Sequence, residues 1–483
     1  MMILFFQNLS SFICDTAVCF AHLLLTVIWE IALRVRLHLN TSPRRKSYFV
    51  SQDPMICRQI VAGSFQHQQG RNIISPNESR AIPNHPHKIA FGIDNAFTRK
   101  TSSEVSLFVT SARAKLNLSD EGWLAISHFA TVTTTNWSTM KKYSNLTHDR
   151  DQNHDRLRRD FDSYINIAAM VQILTLRVVL LVMFDKPDQD QIRDISILTL
   201  AQAINRIWIA QKGTTSNEQV PKFEDDTPLQ KALFDIFGMR NIEPGENPLN
   251  LILPSFETMW RIVLRVVLEI GFVRRTEHPE WAKLLVSFAM EPTKRQFERE
   301  NQSASASSRS SSCERVTCSS ADTNIRAAPS AKHLVLESLR LYVPTRRVHR
   351  AYQWSENLGP HAIISADIEG CHLRRDIWGD DANVFNPDRW LKLTKAQKEA
   401  FMPFGCVPFE CPAKPNFGPR MIGLLAGTVL AVFVDSSIDV GWTFVCEDKS
   451  VLEHLKSGNG LSLNRTAYGD LYLARAQAGH SKP

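Results

Sequence analysis

The chain is 483 residues long, with 43% hydrophobic residues, 22% charged residues and a formal net charge of +7. That balance is ordinary for a globular protein and excludes a wholly disordered chain, a collagen-like repeat and a polytopic membrane protein. Nine irregularly spaced cysteines without a C-x-x-C pair exclude a disulfide framework and a zinc ribbon, and the mild basicity does not point to nucleic acid.

From Ile3 to Leu33 the chain is mostly apolar, and Arg34, Arg36, Arg44, Arg45 and Lys46 follow. An apolar segment with a basic flank reads as a signal-anchor whose basic side stays cytosolic. Asp15 and Glu30 within it favour a tilted or shallow placement. Residues 1–42 are therefore expected to be an N-terminal membrane anchor and residues 43–483 a single domain. The competing reading of the segment is a buried amphipathic helix.

Further along, Ile165–Phe184 and Leu249–Gly271 carry apolar residues at helical spacing. In the second, Trp260, Val263, Leu264, Val267 and Leu268 fit one helix face. Strand-like runs come late, at Ala362–Ile368 and Gly441–Cys446. The fold class expected is mainly α with a small β region. Residues 301–323 hold nine serines and cannot bury enough apolar area to offset their ordering entropy, so they read as a disordered insert.

Three stretches in the last third of the chain carry the chemistry. In L-E-S-L-R-L-Y-V-P, Glu337 and Arg340 share a helix face at a spacing of three. In F-N-P-D-R-W, Pro387 bars a regular element, so Arg389 is presented from a fixed coil. The third runs from Pro403 to Leu430, where a Gly- and Pro-rich loop delivers Cys411 ahead of an apolar helix expected to start near Pro419. A cysteine near a helix N-terminus has its thiolate favoured by the local dipole, and a thiolate suits a soft or redox-active iron. Cys406 reads as an inert buried thiol.

In order and spacing these stretches resemble the cytochrome P-450 family of haem-thiolate monooxygenases. Arg389 follows Glu337 by 52 residues and Cys411 follows Arg389 by 22, both typical of that family. The resemblance covers about Leu107 to Arg475, and the wording around Cys411 is similar to filamentous-fungal secondary-metabolism members. It implies a cytochrome P-450-like single haem domain with Cys411 as the axial ligand of the haem iron. It makes Glu337, Arg340 and Arg389 a buried triad and Phe404 the aromatic residue near the ligand sulfur. Glu257 and Thr258, in P-S-F-E-T, fall on the acid and alcohol positions that relay protons, although Pro254 and Ser255 replace the family's small residue and glycine. For the haem propionates the candidates are Lys141, four residues after Trp137, and Arg350.

Two departures stand in the cysteine loop. Val407 replaces a glycine, with backbone strain as the expected consequence, and Phe409 replaces a basic residue that meets a propionate. The implied activity is that of a cytochrome P-450 monooxygenase, an oxidoreductase acting on paired donors with incorporation of molecular oxygen, on an apolar small molecule. Its cofactor would be haem b. Electrons would come from NADPH through a separate NADPH-cytochrome reductase, docking near Lys392, Lys395, Lys398, Lys414 and Arg420. The implied place is the cytosolic face of the endoplasmic reticulum membrane. Two alternatives remain open at this point: a degenerate or non-redox haem-thiolate protein, and a membrane-tethered helical interaction protein without haem.

Overall fold

The computed structural model describes residues 48–67, 70–139, 161–185, 191–213, 220–298, 328–354, 361–434, 442–446 and 448–476. The expected anchor at 1–42, the serine-rich insert at 301–323 and Lys141 lie outside these residues. Ten helices position the site: α1 (Pro54–Ala62), α2 (Pro76–Phe91), α3 (Asp120–Thr139), α4 (Ile167–Phe184), α5 (Asp194–Gly213), α6 (Leu249–Phe256), α7 (Met259–Leu268), α8 (Pro279–Met290), α9 (Ala331–Leu341) and α10 (Phe417–Phe433). Apart from Lys212 and Gly213 at the end of α5, the described residues belong to one compact unit.

Local chemistry starts and stops these helices. Asp53 caps α1 by accepting from the Ile56 amide, Pro54 opens it, and Gly63 closes it with a positive φ. Asn166 caps α4 through the Ala169 amide, and Ser330 with His333 forms a reciprocal capping box at the start of α9. α4 is apolar all round, which suits a helix enclosed by others. Its length and hydropathy would also let it cross a membrane, but most of it is buried inside the fold.

Two three-stranded sheets complete the fold. In the first, β4 (Ala362–Asp367) lies between β1 (Phe49–Ser51), to which it runs parallel, and β3 (Arg347–Tyr352), to which it runs antiparallel. In the second, β6 (Leu471–Ala476) pairs antiparallel with β2 (Phe161–Asn166) and with β5 (Trp442–Cys446). The mainly helical class and both expected strand regions are present.

The helix after Cys411, α10, is the central packing element: α3, α7, α8 and α9 all lie against it. Glycines let its neighbours come close. A Cβ on Gly427 would fall on the Leu285 carbonyl of α8, and one on Gly271, just past α7, would lie 2.6 Å from Leu430 Cδ2. Backbone cannot retreat as a side chain can. Gly427→Ala is therefore expected to destabilise the fold by about 1–3 kcal/mol, as overpacking does. Gly460→Ala, where a Cβ meets nothing within 4 Å, should stay within about 0.5 kcal/mol of the parent in urea unfolding.

Candidate active site

The E-x-x-R helix and the F-x-P-x-R-W stretch meet as the resemblance implied, although Pro387–Leu391 forms a short 3₁₀ helix where a coil was expected, with Pro387 at its first turn. Glu337 and Arg340 are completely buried, and the carboxylate pairs bidentately with the Arg340 guanidinium, Nη2 at 2.7 Å and Nε at 2.9 Å. Arg389 Nε donates to the same carboxylate at 3.0 Å. Two further donors were not legible: the Asn386 amide at 3.0 Å and the Trp390 indole at 2.9 Å. Arg389 also pairs with Asp381 at 3.0 Å, and Arg340 lies over the Trp378 ring and donates to the His372 and Ala382 carbonyls. Every charge in the group is paired and hydrogen-bonded, the condition under which buried ions are tolerated.

His372 connects this network to the cysteine loop. Its Nε2 accepts the Met402 amide at 3.1 Å, which leaves Nδ1 as the protonated nitrogen facing the Arg340 carbonyl at 3.1 Å. Burial pushes its pKa down to about 3, with the Arg340 charge adding to the effect. Two residues beyond Met402, the Phe404 carbonyl accepts the Cys411 amide at 2.9 Å. Gly405 turns the chain between them with φ +70°, a conformation that favours glycine. Phe404 lies against the core and against Gly418 at the start of α10. Cys411 is thus held at the mouth of a braced loop. Its thiol is pushed up by burial, which outweighs the hydrogen bond from Ala413. The thiolate that the helix N-terminus was expected to favour is therefore not favoured by the protein alone, because α10 starts only at Phe417.

Two guanidiniums flank the same loop. Arg350 on β3 and Arg80 on α2 are both buried, and both lie over the Phe409 ring, at 5.1 Å and 4.1 Å. Arg350 spends its nitrogens on the Val61 and His349 carbonyls. Arg80 donates to the Ala96 carbonyl and leaves Nε buried without a partner. Burial lowers their pKa values to about 9 and about 10, so both stay charged at neutral pH. Arg80 carried no signal in the sequence, since its partner in the loop is more than three hundred residues away. The Trp137–Lys141 candidate is not placed at this loop by the described residues. In α3 it is Trp123 that packs near the cysteine loop, 5.8 Å from Phe417, whereas Trp137 donates to Asp194 at 3.1 Å. Fourteen residues of helix, about 21 Å, separate the two indoles.

The stretch that carries Glu257 and Thr258 is α6 and α7 in succession. Glu257 and Thr258 keep right-handed helical dihedrals, but regular hydrogen bonding lapses there. One turn earlier, inside α6, Pro254 has no amide to give to the Asn250 carbonyl; Asn95 Nδ2 donates to that carbonyl instead, at 3.3 Å. Glu257 is buried and pairs with Arg465 from the C-terminal loop, not with Arg261. Thr258 is half-buried.

Two expectations are corrected. Val407 is 74% exposed and is not among the non-glycine residues with positive φ, so no strain is stored there. Arg420 is buried, lies 4.1 Å over the Trp123 ring and donates to the Pro292 carbonyl, so it belongs to the core and not to a docking face.

Comparison with known proteins gives partial matches of one kind. No protein-family model matches the chain. A benzoate 4-monooxygenase of Aspergillus niger is 36% identical over 76 residues, covering 15% of this chain and 14% of that protein. Cytochrome P450 714A2 of Arabidopsis thaliana is 30% identical over 128 residues, 24% of each chain, and a cytokinin hydroxylase of the same plant is 34% identical over 110 residues, 22% of this chain and 20% of that one. These matches span between about a seventh and a quarter of the relatives' length. A solved six-coordinated cytochrome P450 from Thermus thermophilus aligns with 89% of this chain and 92% of its own, at 13% identity and a TM-score of 0.48. The chain is similar to the cytochrome P450s.

The buried network should be intolerant of truncation. Glu337→Ala and Arg389→Ala each strand a buried charge and should lower stability by about 3–5 kcal/mol in chemical unfolding. His372 adds an acid dependence. Its folded-state pKa lies below the unfolded value of about 6.5, so its contribution is fully present above that pH and is lost as pH falls from 6.5 toward 3. His372→Asn should lessen the slope of unfolding free energy against pH in that window, by up to about 1.4 kcal/mol per pH unit.

Proposed function

We propose that the protein is a haem-thiolate monooxygenase, inserting one oxygen atom from dioxygen into an apolar small molecule. The observation that carries this reading is the Cys411 loop, tied through Met402 and His372 to a fully buried Glu337–Arg340–Arg389 network. The residues fit haem b. A half-buried cysteine offers a soft ligand, and two charged guanidiniums beside its loop, one with an unpartnered Nε, suit a pair of carboxylates.

Bound haem iron supplies the dioxygen and electron chemistry. On this reading Cys411 Sγ would hold the iron, whose positive charge would favour the thiolate that burial disfavours. Phe404 shields the sulfur from water and Arg80 and Arg350 hold the propionates. The unpartnered Glu257 Oε2 takes up a proton and the Thr258 hydroxyl passes it on. NADPH would deliver electrons through a separate NADPH-cytochrome reductase. Lys392, Lys395, Lys398 and Lys414 are exposed beside the loop and suit an acidic partner surface. The apolar segment at 3–33 with its basic flank supports tethering to the cytosolic face of the endoplasmic reticulum membrane. The wording around Cys411 supports a place in fungal secondary metabolism.

Cys411→Ser should abolish the thiolate-type spectrum of the reduced carbon-monoxide complex. Cys406→Ser should retain it, because Cys406 is a buried thiol on the Arg58 carbonyl. Retention by both variants would remove Cys411 as the ligand.

A further inference from the structure

The break between α6 and α7 gathers more positive charge than any contact there neutralises. Glu257, Trp260 and Arg261 share a helix face at spacings of three and four, and Arg265 lies one turn further on. Arg261 donates to the Pro344 carbonyl at 2.9 Å and the Leu463 carbonyl at 3.3 Å. Arg265 donates to the Ser462, Asn464 and Arg261 carbonyls. These bonds pin residues 462–464 to the helix and so deliver Arg465 to Glu257. Carbonyl oxygens satisfy hydrogen bonds but do not neutralise a cation. Three buried guanidiniums, Arg261, Arg265 and Arg465, therefore belong to this stretch, and among the described residues their one ion pair is that of Arg465 with Glu257; Arg465 also lies 4.8 Å over the Trp208 ring. The next acid along, Glu269, is taken by Arg274 at 3.1 Å and by the Tyr342 hydroxyl at 2.6 Å.

Three donors in this group have no partner: Arg261 Nε, Arg465 Nε and Trp260 Nε1. Their residues are 5%, 9% and 2% exposed, so bulk water does not serve them. One acceptor, Glu257 Oε2, is likewise unpartnered. A buried polar group without a partner calls for an explanation, and here the excess is of donors and of positive charge.

We propose that this break is a buried anion site that takes the carboxylate of a small organic acid. A carboxylate has two acceptor oxygens in one plane, which suits guanidinium and indole donors, and its charge balances the surplus cation. The anion site stands on these contacts alone; that the acid is the substrate, its apolar body turned toward Thr258, rests on the oxygenase reading. Burial and mutual repulsion lower Arg265 to about 9, and burial chiefly lowers Arg261 to about 10 and Arg465 to about 9, so all three remain cations at neutral pH.

The test uses the full-length protein and equilibrium dialysis with phenylacetate, against 2-phenylethanol and inorganic phosphate. Wild type should retain phenylacetate in preference to the alcohol. Trp260→Phe, which removes one N–H and keeps the ring, should weaken phenylacetate binding about tenfold, the scale of one hydrogen bond to a charged group. Arg465→Gln should weaken it by at least that much, and neither variant should change binding of the alcohol. Equal retention of acid and alcohol, or unchanged phenylacetate binding in a folded Trp260→Phe protein, overturns the proposal. Phosphate that binds as tightly and displaces phenylacetate marks an inorganic-ion site and overturns it too. The carbon-monoxide spectrum of the same samples separates the two readings. A normal thiolate spectrum without phenylacetate binding sinks this inference alone. Phenylacetate bound through Trp260 and Arg465 without that spectrum supports the anion site and overturns the oxygenase.

Discussion

The Glu337 carboxylate accepts five hydrogen bonds in a site closed to solvent, from Arg340, Arg389, Trp390 and the Asn386 amide. Taking that charge out of water is unfavourable by several kcal/mol, and only a complete set of partners offsets it. Each partner belongs to a segment that must be in place at the same time. α9 supplies Glu337 and Arg340, and the stretch around Pro387 supplies Asn386, Arg389 and Trp390. Trp378 and Ala382 close the remaining sides through Arg340 and Arg389. The arrangement is all-or-none, which makes it a stiff base for something that must be held still.

What it holds is the cysteine loop, and the coupling runs through His372. One imidazole faces the Arg340 backbone and the first amide of the loop together, and only its neutral form can do both. From Met402 the constraint passes by Gly405 and the Phe404–Cys411 hydrogen bond to the sulfur. On the other side, α10 is clamped by four helices and approached closely at Gly423 and Gly427. Cys411 therefore sits between two rigid bodies, and its own burial raises its pKa.

The α6–α7 break follows a different logic. Inside α6 Pro254 removes one hydrogen bond and Asn95 Nδ2 replaces it, and one turn on the chain keeps helical dihedrals. Its side chains are not all satisfied. Arg261 and Arg265 fix the C-terminal loop through carbonyl oxygens, and Arg465 is placed by that loop beside Glu257. The two regions thus differ in electrostatics: a balanced network braces the cysteine loop, and a surplus of buried cation lies at the α6–α7 break.

The sequence by itself determined the elements whose causes are local. Spacing of three put Glu337 and Arg340 on one face, and apolar period marked α4, α6 and α7; Arg389, expected in a coil, instead lies in a 3₁₀ helix that Pro387 opens, since proline suits a first helical position. Glycine and proline marked the loop before α10. Tertiary structure alone decided which charges meet. Arg80 reaches Phe409, His372 reaches Met402 and Arg465 reaches Glu257 across gaps in sequence that no periodicity spans. The same distance in sequence hides the partner of Glu257: Arg261 shares its helix face, yet a loop two hundred residues away provides the ion pair. Val407 stands where a glycine was expected, but the chain around it adopts a φ that valine accepts. Local chemistry sets backbone conformation and which face a residue occupies; what fills the space opposite that face depends on how the rest of the chain packs.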